Sequence, residues 1–163
     1  MRKTIIIAAA VLVAAFAMAN PPDQKDSFPA AFEKLKSLAG EWKIADRDAQ
    51  VSYFVTGDGS AVVEVFETER GMASVYHMDG EDLMVTHYCS ANNQPRMRAT
   101  SYDAARGTIL FDQFIDVTNV ADPEEYYTRE VGIVFKDQDH IEIRFNGLEA
   151  GEEFPVVQSL SRK

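Results

Sequence analysis

The chain has one cysteine, Cys89, among 163 residues. A lone thiol cannot close an intramolecular disulfide, so a packed core must hold the fold. Basic residues are also scarce: 16 Lys and Arg stand against 26 Asp and Glu, a formal net charge of −10. That balance repels phosphate backbones and anionic lipid headgroups, which argues against nucleic acid as a partner. No second long apolar run follows residue 19, and no internal repeat or low-complexity tract occurs. Nucleophile-elbow, zinc-protease, P-loop and dinucleotide fingerprints are all missing. The acid clusters at Glu124-Glu125, Asp137/Asp139 and Glu149/Glu152/Glu153 lack calcium-loop spacing and read as solvated turns.

What is present begins with an export signal. Arg2 and Lys3 precede an apolar run from Ile5 to Ala19 that ends Ala17-Met18-Ala19. A charged start, a short apolar stretch and a small-x-small end form a secretory signal peptide, with cleavage expected after Ala19. The run is shorter than the about 20 residues that a membrane-spanning helix requires. The expectation is therefore a periplasmic or secreted protein with no membrane span after cleavage. Residues 20–27 form a polar leader. Residues 28–163 form one domain, large enough for a core without covalent staples.

Within that domain the hydrophobic period changes once. Phe28, Ala31, Phe32, Leu35 and Leu38 make one apolar stripe, predicting an amphipathic helix over 28–39 with Ser27 as its cap and Gly40 as its stop. From Trp42 onward the period is two. Ten strands are expected near 42–46, 50–56, 61–69, 72–78, 82–90, 95–103, 107–115, 126–136, 139–146 and 153–162. Turn residues separate them, among them Gly57-Asp58-Gly59, Asp79-Gly80, Asn92-Asn93 and Arg106-Gly107. Short connections imply antiparallel neighbours. A ten-strand meander avoids exposed edges by closing on itself. The fold class is thus all-β, an antiparallel up-and-down barrel of about ten strands with a short N-terminal amphipathic helix.

A short helix followed by Gly40-Glu41-Trp42 at the first strand resembles the lipocalin and fatty-acid-binding-protein (calycin) superfamily. That resemblance implies a barrel end closed by Trp42 with a basic residue of the last strand, here Arg162, packed over it. Haem-binding barrels of the nitrobindin type continue Gly-x-Trp with further glycines. Here Lys43-Ile44-Ala45-Asp46 follows, so no haem is expected.

The more apolar face of each strand is expected to point inward: Val63 and Val65, Val75 and His77, then Leu83, Val85, His87 and Cys89, and their counterparts on later strands. The opposite face also holds aromatics, namely Phe66, Tyr76, Tyr88, Tyr102 and Phe114. Either a bulge switches the phase or part of the exterior is covered. His77, His87 and Cys89 are the most chemical-looking group. A three-residue loop at Asp79-Gly80 would put His77 and His87 on one face, whereas a two-residue loop would put them on opposite faces. Zinc would need a further ligand, and residues 87 and 89 stand parallel rather than facing each other as a Cys-His nucleophile pair requires. No metal, cofactor or catalytic residue is assigned. The lumen candidates are His77, His87, Cys89, Ser101, Gln113 and Gln158. An apolar lumen with a few polar groups suits a small hydrophobic ligand. The competing expectation is a packed barrel that acts through its exterior aromatic face on a protein partner, a second copy of the chain included.

Overall fold

The computed structural model describes residues 27–122 and 124–163. The expected signal segment and residues 20–26 of the expected leader lie outside them. Helix α1 (Phe28–Lys36) precedes ten strands: β1 (Gly40–Ile44), β2 (Gln50–Thr56), β3 (Ala61–Glu67), β4 (Met72–Asp79), β5 (Asp82–Tyr88), β6 (Gln94–Asp103), β7 (Thr108–Thr118), β8 (Tyr127–Phe135), β9 (His140–Glu149) and β10 (Glu152–Arg162). Each strand pairs antiparallel with its sequence neighbour, and β10 returns to β1 to close the barrel. The expected fold class is thus observed. The helix is shorter than expected, and Ser27 closes it without a side-chain capping bond.

Helix α1 plugs one end. Phe28, Ala31, Phe32 and Leu35 are buried there, packed toward β4, β5 and β6. Trp42 is wholly buried; its Nε1–H donates to the Leu38 carbonyl at 2.8 Å, and its ring meets Tyr53 edge-on at 6.4 Å. The Arg162 guanidinium lies 4.4 Å from the Trp42 ring centre, within cation–π range. Its Nη1 donates to the Ala39 carbonyl and its Nη2 to the Ser37 carbonyl. Arg162 therefore ties the last strand to the first and to the helix end. Gly40 makes room for it: a Cβ there would lie 3.0 Å from Nη1, and φ is +133°.

The far end is splayed because two ladders stop early. β1 pairs only with Leu160–Arg162 of β10, and β8 pairs with β7 only over Val131–Val134. Among the described residues, the first half of β10 thus has no strand on its β1 side. Ser159 turns its carbonyl toward β1, accepting from the Ala45 N–H. By strand alternation Pro155 faces the same edge, where its missing N–H discourages a further strand.

The inward face is not the expected one throughout. On β3 and β4 it is Val62, Glu64, Phe66, Ser74 and Tyr76 that are buried, not Val63, Val65, Val75 and His77. The cause is the β4–β5 hairpin. Asp79 pairs with Asp82 across the two-residue turn Gly80-Glu81, so Tyr76 faces Val85 and Ser74 faces His87. Later, β6 and β7 carry successive bulges between Arg96 and Ser101, which turn Phe114 and Tyr102 toward the core. The expected exterior aromatic face therefore does not exist as a unit. Phe66 and Tyr76 lie in the core, Tyr102 and Phe114 pack against it, and only Tyr88 is strongly exposed.

Candidate functional site

The barrel interior is largely filled. Tyr76 packs on Phe111 at 5.6 Å and Phe66 on Phe145 at 5.9 Å. Through this apolar filling runs one polar row. Tyr53 of β2 pairs with Glu64 of β3, Glu64 with Ser74 of β4, and Ser74 with His87 of β5. Directly opposed residues have Cβ atoms about 5 Å apart, close enough to bond side chain to side chain. Tyr53 donates to Glu64 Oε2 at 2.6 Å, and Tyr76 donates to the same oxygen at 3.1 Å. Ser74 Oγ lies 2.9 Å from Glu64 Oε1 and 3.0 Å from His87 Nδ1.

All members of this row are buried. Burial raises the Glu64 carboxyl above its ordinary value, and the three hydroxyl bonds only partly offset that. Tyr53 and Tyr76 are pushed well up, first by burial and then by the Glu64 charge. Burial also lowers His87 to about 4, so the imidazole is neutral at physiological pH.

At the splayed end the row borders a cavity of about 270 Å³. Met72, Phe145 and Val156 give it apolar walls; His87, Thr128 and Gln158 contribute polar groups, and Cys89 and Tyr126 sit beside them. The His87 ring lies 5.7 Å from Phe145. Its Nδ1 is engaged by Ser74, and the ring lines the cavity. Gln158 Oε1 is buried and also unpartnered. A buried acceptor without a donor is costly, about 1–3 kcal/mol, and such groups are rare in native folds. Tyr126 is positioned by Gly147, where a Cβ would fall 2.1 Å from the Tyr126 ring. A larger depression of about 440 Å³ beside Gln50, Glu67 and Lys163 is a charged surface hollow. Gln50 there already bonds both Glu67 and Lys163.

The lumen candidates thus separate into two sets. His87, Cys89 and Gln158 come together at the cavity. His77 lies on the outer face between Ala61 and Met84, because of the two-residue hairpin. Ser101 is turned outward opposite Leu110 by the bulge at Thr100, and Gln113 is exposed opposite Arg98. Glu64, Ser74, Tyr53 and Tyr76 are absent from the sequence-derived set. The charge of Glu64 reads as outward-facing, although Val62 and Phe66 flank it at alternate positions. Among the described residues, no three His, Cys, Asp or Glu side chains gather to hold a metal. The chain matches no protein-family model and no curated protein sequence.

Proposed function

We propose that this barrel is an exported, calycin-like protein that binds a small, largely apolar molecule in the cavity at its splayed end. The carrying observation is the unpartnered Gln158 Oε1, which lines the cavity with His87 and the apolar Met72, Phe145 and Val156. Such a group is satisfied when a ligand supplies the missing partner. The volume falls just below the roughly 300–1,000 Å³ of drug-sized sites, so the ligand is a compact one. The helix plug, the Trp42–Arg162 stack and the closed meander support the calycin likeness. The apolar run ending Ala17-Met18-Ala19 supports export. N-terminal sequencing of the exported protein should read Asn20 first; an intact Met1 would remove the export claim.

His87→Phe tests the site itself. The substitution keeps an aromatic ring in the wall and removes the imidazole nitrogens. Ligand affinity should fall by about 1–3 kcal/mol, the cost of an unmet polar contact, while the fold persists. An unchanged dissociation constant would take His87 out of the site.

A further inference from the structure

Glu64 is a fully buried carboxyl whose partners among the described residues are hydroxyls, and ligand binding alone gives it no task. Its hydrogen bonds can be completed in two ways. With Glu64 ionised, Tyr53 and Tyr76 donate to Oε2 and Ser74 donates to Oε1. Ser74 Oγ then accepts from His87 Nδ1–H, and a neutral ring leaves Nε2 as a bare acceptor toward the cavity. With Glu64 protonated on Oε1, every bond in that line reverses. Oε1–H donates to Ser74, Ser74 donates to Nδ1, and the ring proton sits on Nε2. Neither arrangement strands a buried hydroxyl. They differ by one proton, entering at Nε2 and arriving at Glu64.

We propose that Glu64, Ser74 and His87 form a proton relay through which the barrel accepts a proton from a weakly acidic hydroxyl compound, of the phenol or enol class, bound in the cavity. This rests on the cavity being the ligand site. The ligand O–H bond breaks as Nε2–H forms. Nδ1–H passes to Ser74 Oγ, and the Ser74 hydroxyl proton passes to Glu64 Oε1. The ligand leaves this step as an oxyanion and Glu64 as a neutral acid, with no change in redox state.

Two physical facts favour the relay over protonation of His87 alone. An imidazolium at this position would be a second charge in a buried site, disfavoured by the same burial that lowers His87. With Glu64 ionised, the relay moves a negative charge that is already buried, from Glu64 to the ligand. The second fact is that Gln158 Oε1 and the bare Nε2 are both acceptors on one cavity wall. A hydroxyl donor meets one of these two acceptors, and a bare carbonyl meets neither. The groups around the row are Tyr53 from β2, Tyr76 from β4 and Phe145 from β9, with Cys89 and Tyr126 at the cavity beside His87. None of them is cationic.

The test uses 4-nitrophenol, whose phenolate absorbs visibly, with the wild-type protein, Glu64→Gln and Ser74→Ala. Equilibrium dialysis measures occupancy, and absorbance measures ionisation, below the pH at which the free probe ionises. For wild type, the ionised-to-neutral ratio of bound probe should exceed that of free probe by about tenfold, the equivalent of one pKa unit. Both variants should bind the probe as the neutral phenol. Occupancy without that excess, or the same excess in both variants, overturns the relay while leaving the cavity as a binding site. No occupancy of wild type overturns the binding reading and the relay with it. Ring ¹⁵N shifts of ligand-free protein at neutral pH give a second readout that does not depend on the probe. In Glu64→Gln the two tyrosines hold the amide oxygen, so its NH₂ faces Ser74. His87 should then change from the Nδ1–H form of wild type to the Nε2–H form; the same tautomer in both proteins overturns the relay.

Discussion

Trp42→Ala is expected to remove about 3–5 kcal/mol of stability, the usual cost of truncating a buried aromatic. Trp42 is fully buried, and three separate supports meet on it: the Nε1 bond to Leu38, the edge contact with Tyr53 and the Arg162 guanidinium over its face. Removing the indole leaves a cavity at the helix end and leaves the Leu38 carbonyl without its donor. Domains of this kind are stable by only about 5–15 kcal/mol, so the variant should sit near the edge of folding. Arg162→Ala, which spares the core, should cost less; the cation–π contribution itself is roughly 0.5–2 kcal/mol. Denaturant unfolding checks both, read as a lower midpoint at an unchanged slope. A loss under about 1 kcal/mol for Trp42→Ala would mean that the helix end does not hold the barrel closed.

Acid should weaken the fold through His87. Its folded-state pKa is depressed to about 4 from an ordinary 6.5. The contribution is therefore fully present above about pH 6.5 and is lost as pH falls toward about 4, because the unfolded chain takes up the proton first. At 1.36 kcal/mol per unit, the loss comes to about 3 kcal/mol. Glu64 acts with the opposite sign. Its raised folded pKa gives a contribution present below about pH 4.3 that is lost as pH rises through the folded value. Comparing wild type with His87→Gln separates the two. The stability difference between the proteins should narrow by about 3 kcal/mol from above about pH 6.5 to about pH 4. A difference that stays constant across that window would mean that His87 is not desolvated in the folded state.

Much of the barrel was legible because strand period and turn residues are local signals. All ten strands stand within a few residues of their expected places, and Trp42 and Arg162 meet as the calycin likeness implied. The inward faces of β3 and β4 were less legible because both faces of Ala61–Glu67 are apolar. The deciding signal was the Asp79-Gly80 hairpin. A two-residue turn pairs odd positions of β5 with even positions of β4, so placing Leu83, Val85 and His87 inside would have required Ser74 and Tyr76 inside too. From β4 the same register carries Glu64 inward. Ser101 and Gln113 were misplaced by bulges in β6 and β7, which shift the phase without a distinctive residue to mark them. Of the site, the sequence therefore showed His87, Cys89 and Gln158 and hid the hydroxyl row behind them.

The most direct test of the cavity as a ligand site is native mass spectrometry of the protein purified from its own cells, beside a Val156→Trp variant. Val156 lines the cavity and is partly exposed at its rim, so an indole there should fill the space without disturbing the polar row. Wild type should carry a small-molecule mass that the variant lacks. An equal adduct on both proteins, or a bare wild-type mass, would contradict a ligand held at His87 and Gln158.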